Sequence, residues 1–489
     1  MTKITSRNVI TNMLWRFFER TGAQFVTLLV TVLIARVLEP ELYGKVALIS
    51  VLIVILQVFV DAGLGTALIQ KKDPDDLDYS SVFYFNIVFC VVAYAMFYAI
   101  VPFITNYYQM PDLIPAMRVS GLTIVISGIK NVQQAYVSKN LLFKKFFFST
   151  LSGTIIAGIV GITLAYSGFG TWALVIQDLT NKAIDTIVLW GTVKWRPKKL
   201  FSFVRLKSLL SYGWKMFASG ILDTTYNGIR QLIIGKKYST EDLAFYNQGV
   251  KYPRFVVLNL NTAIDSVLLP SMSEYQNDMA IVKEMTRKAI KISTFVTMPL
   301  MCGLAVCSDF LVKHILTDKW LPAVPYIRIF CITYAFYVIH TANLNAIKAV
   351  GRSDIHLKLE FTKIFVGLAI LLSTMWHGVM GIALGGIVSS FASQIINAWP
   401  NKKLLNYGYV EQIIDIVPNL IVSLIMGGTI YIMSYLPLGG WLLFALQVII
   451  GVIVYLLFSY LFRIDSLSIC YNILVSFTKK KQVKCNEQQ

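Results

Sequence analysis

Charge is scarce in this chain. Aspartate, glutamate, lysine and arginine make up 14% of its 489 residues, against about 25% in an ordinary soluble domain. Apolar residues make up 56%, so lipid rather than water is the expected solvent. Histidine is scarcer still. His314, His340, His356 and His377 stand far apart, without the clustering of a zinc or haem centre. The six cysteines, Cys90, Cys302, Cys307, Cys331, Cys470 and Cys485, are scattered. They show neither metal-ligand nor disulfide-framework spacing, and most lie in apolar segments where a thiol acts as a small hydrophobe. No metal and no other cofactor is expected. Catalytic signatures are missing as well: GxSxG, HExxH and the phosphate loop GxxxxGK[ST] do not occur. Ser271 and Ser273 of LLPSMSEY have no neighbouring histidine, and GLGTAL (63–68) reads as a glycine-bearing helix end. An enzyme is not expected. The basic start MTKITSRNVITNMLWRFF is not followed by a small-residue cleavage site, so the first apolar segment is expected to remain as a membrane helix.

Long apolar runs are what the chain has in abundance. A spanning helix needs about 20 mostly apolar residues. On that ruler fourteen spans are expected, near 11–36, 42–67, 80–104, 112–137, 146–167, 169–192, 208–235, 243–270, 288–316, 323–348, 356–376, 378–400, 411–435 and 439–462. With the N-terminus in the cytoplasm, 28 lysines and arginines fall on cytoplasmic segments and five on the opposite side. That alternation supports the span count and places both termini in the cytoplasm. Lys130 is counted among the cytoplasmic residues. Lys45, Lys182, Lys215 and Lys363 are read as span-end residues that snorkel toward an interface. The net charge of +18 thus belongs to loops facing anionic lipid, and nucleic acid is not an expected partner.

The first hairpin and the seventh and eighth spans echo each other. WRFFERTGAQFVTLLVTVLIARVLEPELYGKVA (15–47) and WKMFASGILDTTYNGIRQLIIGKKYSTEDLAFYNQGV (214–250) each begin with Trp and a cation. Each also ends in a basic, acidic and aromatic turn, about 200 residues apart. The fold expected is an all-α polytopic membrane protein of two pseudo-symmetric six-helix bundles plus two C-terminal helices, a common transporter plan. The N-lobe is expected over 1–192, a basic interfacial linker over 193–207 and the C-lobe over 208–400. The last two spans would occupy 401–463 and a basic cytoplasmic tail 464–489. The linker, VKWRPKKLFSFVRLK, combines aromatics with six cations, a composition that suits anionic headgroups.

Polar residues concentrate in spans 1, 7 and 8. Arg16, Arg20, Gln24, Thr27 and Thr31 are spaced 4, 4, 3 and 4 apart, one stripe on one helix face. Glu19 is placed to pair with Arg16. Span 7 carries Asp223, Asn227 and Arg230; span 8 carries Lys251, Arg254 and Asp265, with Pro253 between its two cations. A cation at membrane depth costs about 3 kcal/mol on insertion scales unless it meets water or a partner. Arg16, Arg20, Gln24, Arg230, Lys251 and Arg254 are therefore candidate lining residues of a cationic cavity. Such a cavity concentrates anions, and arginine suits phosphate through paired donors. Asp61, Asp223 and Asp265 are candidate groups for H+ or Na+ coupling. A buried structural ion-pair network remains the competing reading.

Several stretches carry a family resemblance: IARVLEPELYGKVAL (34–48), DAGLGTALIQKKD (61–73), KKYSTEDLAFYNQGVKYP (236–253), LTDKWLPAVPYIRI (316–329) and AIKAVGRSDIHLKL (346–359). With these the chain resembles the polysaccharide-export branch of the multidrug/oligosaccharidyl-lipid/polysaccharide (MOP) flippase superfamily, of the O-antigen and colanic-acid type. The resemblance implies a flippase that moves undecaprenyl-diphosphate-linked glycan across the bacterial inner membrane by alternating access. It implies a diphosphate held by Arg16, Arg20 and Arg254 with Lys251 beside them. The partners implied are that lipid-linked glycan, membrane lipids and the polysaccharide polymerase machinery, and a monomer is the default. The alternatives are a cation-coupled drug exporter of the same superfamily and a membrane polysaccharide synthase or ligase.

Overall fold

The computed structural model describes residues 6–61, 63–437 and 439–470, which contain no β-strand. Sixteen α-helices follow in chain order: α1 (Ser6–Val37), α2 (Pro40–Asp61), the short α3 (Leu64–Gln70), α4 (Asp76–Tyr108), α5 (Ile114–Lys139), α6 (Phe143–Tyr166), α7 (Thr171–Thr192), α8 (Phe203–Lys237), α9 (Thr240–Glu274), α10 (Met279–Leu311), α11 (Val324–Ala335), α12 (Tyr337–Ala349), α13 (Ser353–Thr374), α14 (Gly378–Leu404), α15 (Tyr409–Met433) and α16 (Gly440–Leu461). Ten helical segments among the described residues are long and apolar enough to cross a membrane. The chain is a multi-pass membrane protein. Helices α7, α8, α9 and α13 are also at least 22 residues long but fall outside those ten, because their polar residues dilute the hydrocarbon.

Local chemistry explains the helix ends. Pro40 opens α2, where a missing N–H costs nothing. Asp75 caps α4 in a reciprocal capping box with Asp78, satisfying two orphan donors at once. Asp278 accepts from the N–H groups of Ala280 and Ile281 to start α10. The second expected span, 42–67, is interrupted. Helix α2 stops at Asp61 and Gly63 adopts φ 67°. A Cβ at Gly63 would lie 2.2 Å from the carbonyl oxygen of Gly213, so a bare backbone is needed both for the turn and for the close approach.

Two compact units divide the chain, Met1–Ala244 and Phe245–Gln489. In the first, α6 packs against α1 and α7, α5 against α4 and α7, and α8 against α2. One of its cores joins Leu64, Leu68, Tyr79, Phe83, Val132, Leu189 and Leu206. In the second, α10 packs against α11 and α15, α14 against α12 and α13, and α16 against α15. The repeated hairpin is visible in the backbone: α1 ends at Val37 and α2 begins at Pro40, while α8 ends at Lys237 and α9 begins at Thr240. The two turns touch. A Cβ on Gly44 would sit 1.6 Å from the Thr240 carbonyl oxygen.

The linker folds onto the first unit rather than lying wholly on headgroups. Trp195 is buried, and its Nε1 donates to Asp76 at 3.1 Å. Lys198 pairs with Asp76 and Arg205 with Asp75, both at 2.6 Å. Gln133 donates to the Trp195 carbonyl at 3.1 Å. The Asp75 carboxyl lies below its ordinary 3.8, first because the Asp78 N–H bonds it and then because Arg205 does. The outward side keeps Leu200, Phe201, Phe203 and Val204 exposed, the part of the segment that suits a membrane surface.

Candidate functional site

Arg20, Gln24, Thr27 and Thr31 all lie within α1. Arg20 is exposed, and Gln24 is half-buried with a side-chain oxygen that accepts no hydrogen bond. Thr27 bonds back to the Ala23 carbonyl at 2.7 Å, so it adds little to the stripe. Arg16 lies in α1, but its side chain is outside the described residues, as is that of Asp61 at the end of α2. The expected Glu19–Arg16 pair therefore lies outside them too. Glu19 is buried against α6, where Thr150 donates to it at 3.3 Å.

On α8, Asp223 and Asn227 are exposed and joined by a 3.1 Å hydrogen bond from the amide. The Arg230 guanidinium sits 5.4 Å from the Tyr226 ring, a cation–π distance. On α9, which runs unbroken through Pro253, Arg254 is exposed and Lys251 half-buried. Asn247, Gln248 and Asn261 of the same helix bury side-chain oxygens that accept no hydrogen bond. Asp265 is exposed and accepts from Asn345 at 2.5 Å. Arg16, Arg20, Gln24, Asp61, Asp223 and Arg230 thus belong to the first unit, and Lys251, Arg254 and Asp265 to the second.

Sequence reasoning missed a second polar region, inside the first unit. Lys130, counted as a cytoplasmic loop residue, is buried within α5 and pairs with Asp185 of α7 at 2.7 Å. Lys182, read as a snorkelling span-end residue, stands ten residues before the end of α7, about 15 Å of helix. Lys130 and Lys182 line a cavity of about 180 Å³ with Gln57, Ser127 and Gln134. The i, i+3 spacing of Lys182 and Asp185 was the available signal, but the partner helix could not be read from it. Lys45, five residues into α2, behaves as expected of a span end and pairs with Glu41 at 3.1 Å. Lys363 does not: it stands ten residues into the 22-residue α13, where it pairs with Glu360 at 2.7 Å. Lys215 lies outside the described side chains.

A larger cavity of about 370 Å³ is lined by apolar side chains of α2 and α4, from Leu52 and Phe59 to Phe89 and Met96. With no polar chemistry in its walls it suits hydrocarbon. Among the described residues no cluster of three or more His, Cys, Asp and Glu is placed to hold a metal ion.

Comparison with known proteins decides the family. Residues 33–325, more than half of the chain, match the family described as polysaccharide biosynthesis protein. The chain belongs to that family. It is 24% identical over 355 residues to the teichuronic acid biosynthesis protein TuaB of Bacillus subtilis (strain 168), covering 71% of this chain and 72% of the relative. It is 22% identical over 409 residues to the lipopolysaccharide biosynthesis protein WzxC of Escherichia coli (strain K12), covering 81% and 82%. In fold this family member is similar to the lipid II flippase MurJ in an inward closed conformation. The TM-score is 0.76 at 16% identity, with 93% of this chain and 98% of that one covered. The polysaccharide side of the expected resemblance is borne out by that family and those relatives.

Proposed function

We propose that the protein is a flippase that carries an undecaprenyl-diphosphate-linked oligosaccharide from the cytoplasmic to the outer leaflet of a bacterial inner membrane, by alternating access. The observation that carries this reading is the polar face of α1, with Arg20 exposed and Gln24 holding an unfilled buried acceptor, in a fold similar to that of a lipid-linked precursor flippase. Charge at membrane depth is retained where it meets an ionic or aqueous pathway. Arg16, Arg20, Gln24, Arg230, Lys251 and Arg254 capture the diphosphate. The prenyl tail stays in hydrocarbon while the sugars pass through water. Proton or Na+ coupling through Asp61, Asp223 or Asp265 supplies the driving force. Both termini face the cytoplasm, the protein works as a monomer, and the polysaccharide polymerase machinery receives its product.

The test is export of surface polysaccharide in a deletion strain complemented with Arg20→Ala or Arg254→Ala at matched protein level. Losing one charge-assisted phosphate contact of about 1.5–3 kcal/mol lowers capture by about tenfold or more. Wild-type export from both variants sinks the capture role.

A further inference from the structure

The cavity inside the first unit has walls that ask for a polar guest. Gln57, Ser127, Gln134 and Lys182 line it, and no hydrogen bond or ion pair reaches their side chains from the described residues. Two amides, a hydroxyl and an ammonium without partners are not left dry at membrane depth. The site holds water, or a ligand that replaces it. At about 180 Å³ it has room for about six waters at roughly 30 Å³ each, or for one compact polar group.

Charge decides which group. Lys130 is neutralised by Asp185 at 2.7 Å, so that pair contributes no net charge. Asp178 lies one turn before Lys182 on α7 and attracts it through space, but no direct ion-pair contact joins the two. Lys182 faces the cavity with only the through-space attraction of Asp178 to offset its charge, flanked by amides and a hydroxyl that can either donate or accept. A cation ligand would meet repulsion there. A neutral sugar would leave the ammonium without a counter-ion in direct contact. An oxyanion satisfies the ammonium directly and takes further bonds from the Gln57 and Gln134 amides and the Ser127 hydroxyl.

We propose that this cavity is an oxyanion subsite for the glycan cargo, with Lys182 as counter-ion to a carboxylate or phosphate carried on a sugar. The subsite rests on the flippase reading for its cargo. Its lining includes none of the arginines of α1, and it assigns Lys182 to choosing among glycans rather than to holding the diphosphate. It favours acidic glycans over neutral ones.

The test is direct binding to the purified full-length protein in nanodiscs, using glucuronate, glucose and inorganic phosphate as probes. Glucuronate binding to the wild type, about tenfold weaker in Lys182→Gln and retained in Lys182→Arg, supports the subsite. Weak glucose binding that ignores the substitution supports the charge requirement. Phosphate displacing glucuronate identifies phosphate as an equal source of the oxyanion. Thermal unfolding of Lys182→Gln matching the wild type shows that the loss is local, and Gln134→Ala with weakened glucuronate binding supplies a second variant. No binding of either anion, or binding indifferent to both substitutions, overturns the proposal. Leaflet-resolved transport of a lipid-linked neutral glycan by the wild type separates the two readings: if the wild type transports it yet binds neither anion, the flippase stands and the subsite falls.

Discussion

The two units bury polar groups in different ways. In the first, the interior is ionic: Lys130 and Asp185 pair across α5 and α7, and Lys182 faces a cavity beside them. In the second, it is largely amide. Asn343 of α12 and Gln412 of α15 exchange hydrogen bonds of 2.8 and 2.9 Å, and Asn401 of α14 donates to the same Asn343 oxygen at 2.6 Å. One of its ionic clusters joins α10 and α15, where Asp415 takes Arg287 at 2.7 Å and Lys291 at 3.4 Å. An amide network carries no net charge and can complete most of its own bonds, so a helix bundle keeps it dry. An ammonium cannot be treated that way; its desolvation penalty persists until water or an anion meets it. The comparison of these two clusters therefore separates an ammonium that demands a guest from an amide network that demands packing.

The largest way to break that contrast is to orphan the ion pair. Asp185→Ala leaves the Lys130 ammonium buried and uncompensated, and should cost about 3–5 kcal/mol. The double variant Lys130→Met with Asp185→Leu should recover most of it. Detergent thermal unfolding of all three proteins measures both effects, and a fully stable Asp185→Ala would mean that the pair is wet. A smaller loss is expected in the second unit. Asn343→Leu removes the shared partner of Gln412 and Asn401 and should cost about 1–3 kcal/mol, with no change in anion binding to the first unit. Loss of anion binding in Asn343→Leu would show that the two interiors are not independent. Smallest is the linker. Because the Asp75 carboxyl titrates below 3.8, its grip on Arg205 is complete at neutral pH. That grip persists on acidification to about pH 5 and weakens only as pH falls through the lowered value. Hydrogen exchange of the linker amides, corrected for intrinsic rate, should be flat over that upper range and rise below it. An increase already at pH 6 would contradict the Asp75 tether.

Much of the fold was legible because hydropathy and helix periodicity are local. The last two expected spans, 411–435 and 439–462, nearly coincide with α15 and α16. The stop at Gly63 was not, because it depends on the Gly213 backbone 150 residues later. The candidate site divides the same way. The α1 stripe of Arg20 and Gln24 could be read from spacing within one helix. The Lys130–Asp185 pair joins residues 55 apart on different helices, and a lysine near a span end looks alike whether it snorkels or reaches inward. The linker's aromatic and basic composition was visible, yet Trp195 faces Tyr79 and Tyr136 rather than lipid, which only the fold of α4 and α5 decides.

Gly44 has a consequence for the order in which the chain is made. Its bare backbone is covered by Thr240, and Thr240 leaves the ribosome about 200 residues later, roughly 10–40 s at ordinary elongation rates. Through that interval the first hairpin waits in the membrane with its turn uncapped. The notch at Gly44 is a late assembly joint, closed only when the second copy of the hairpin arrives.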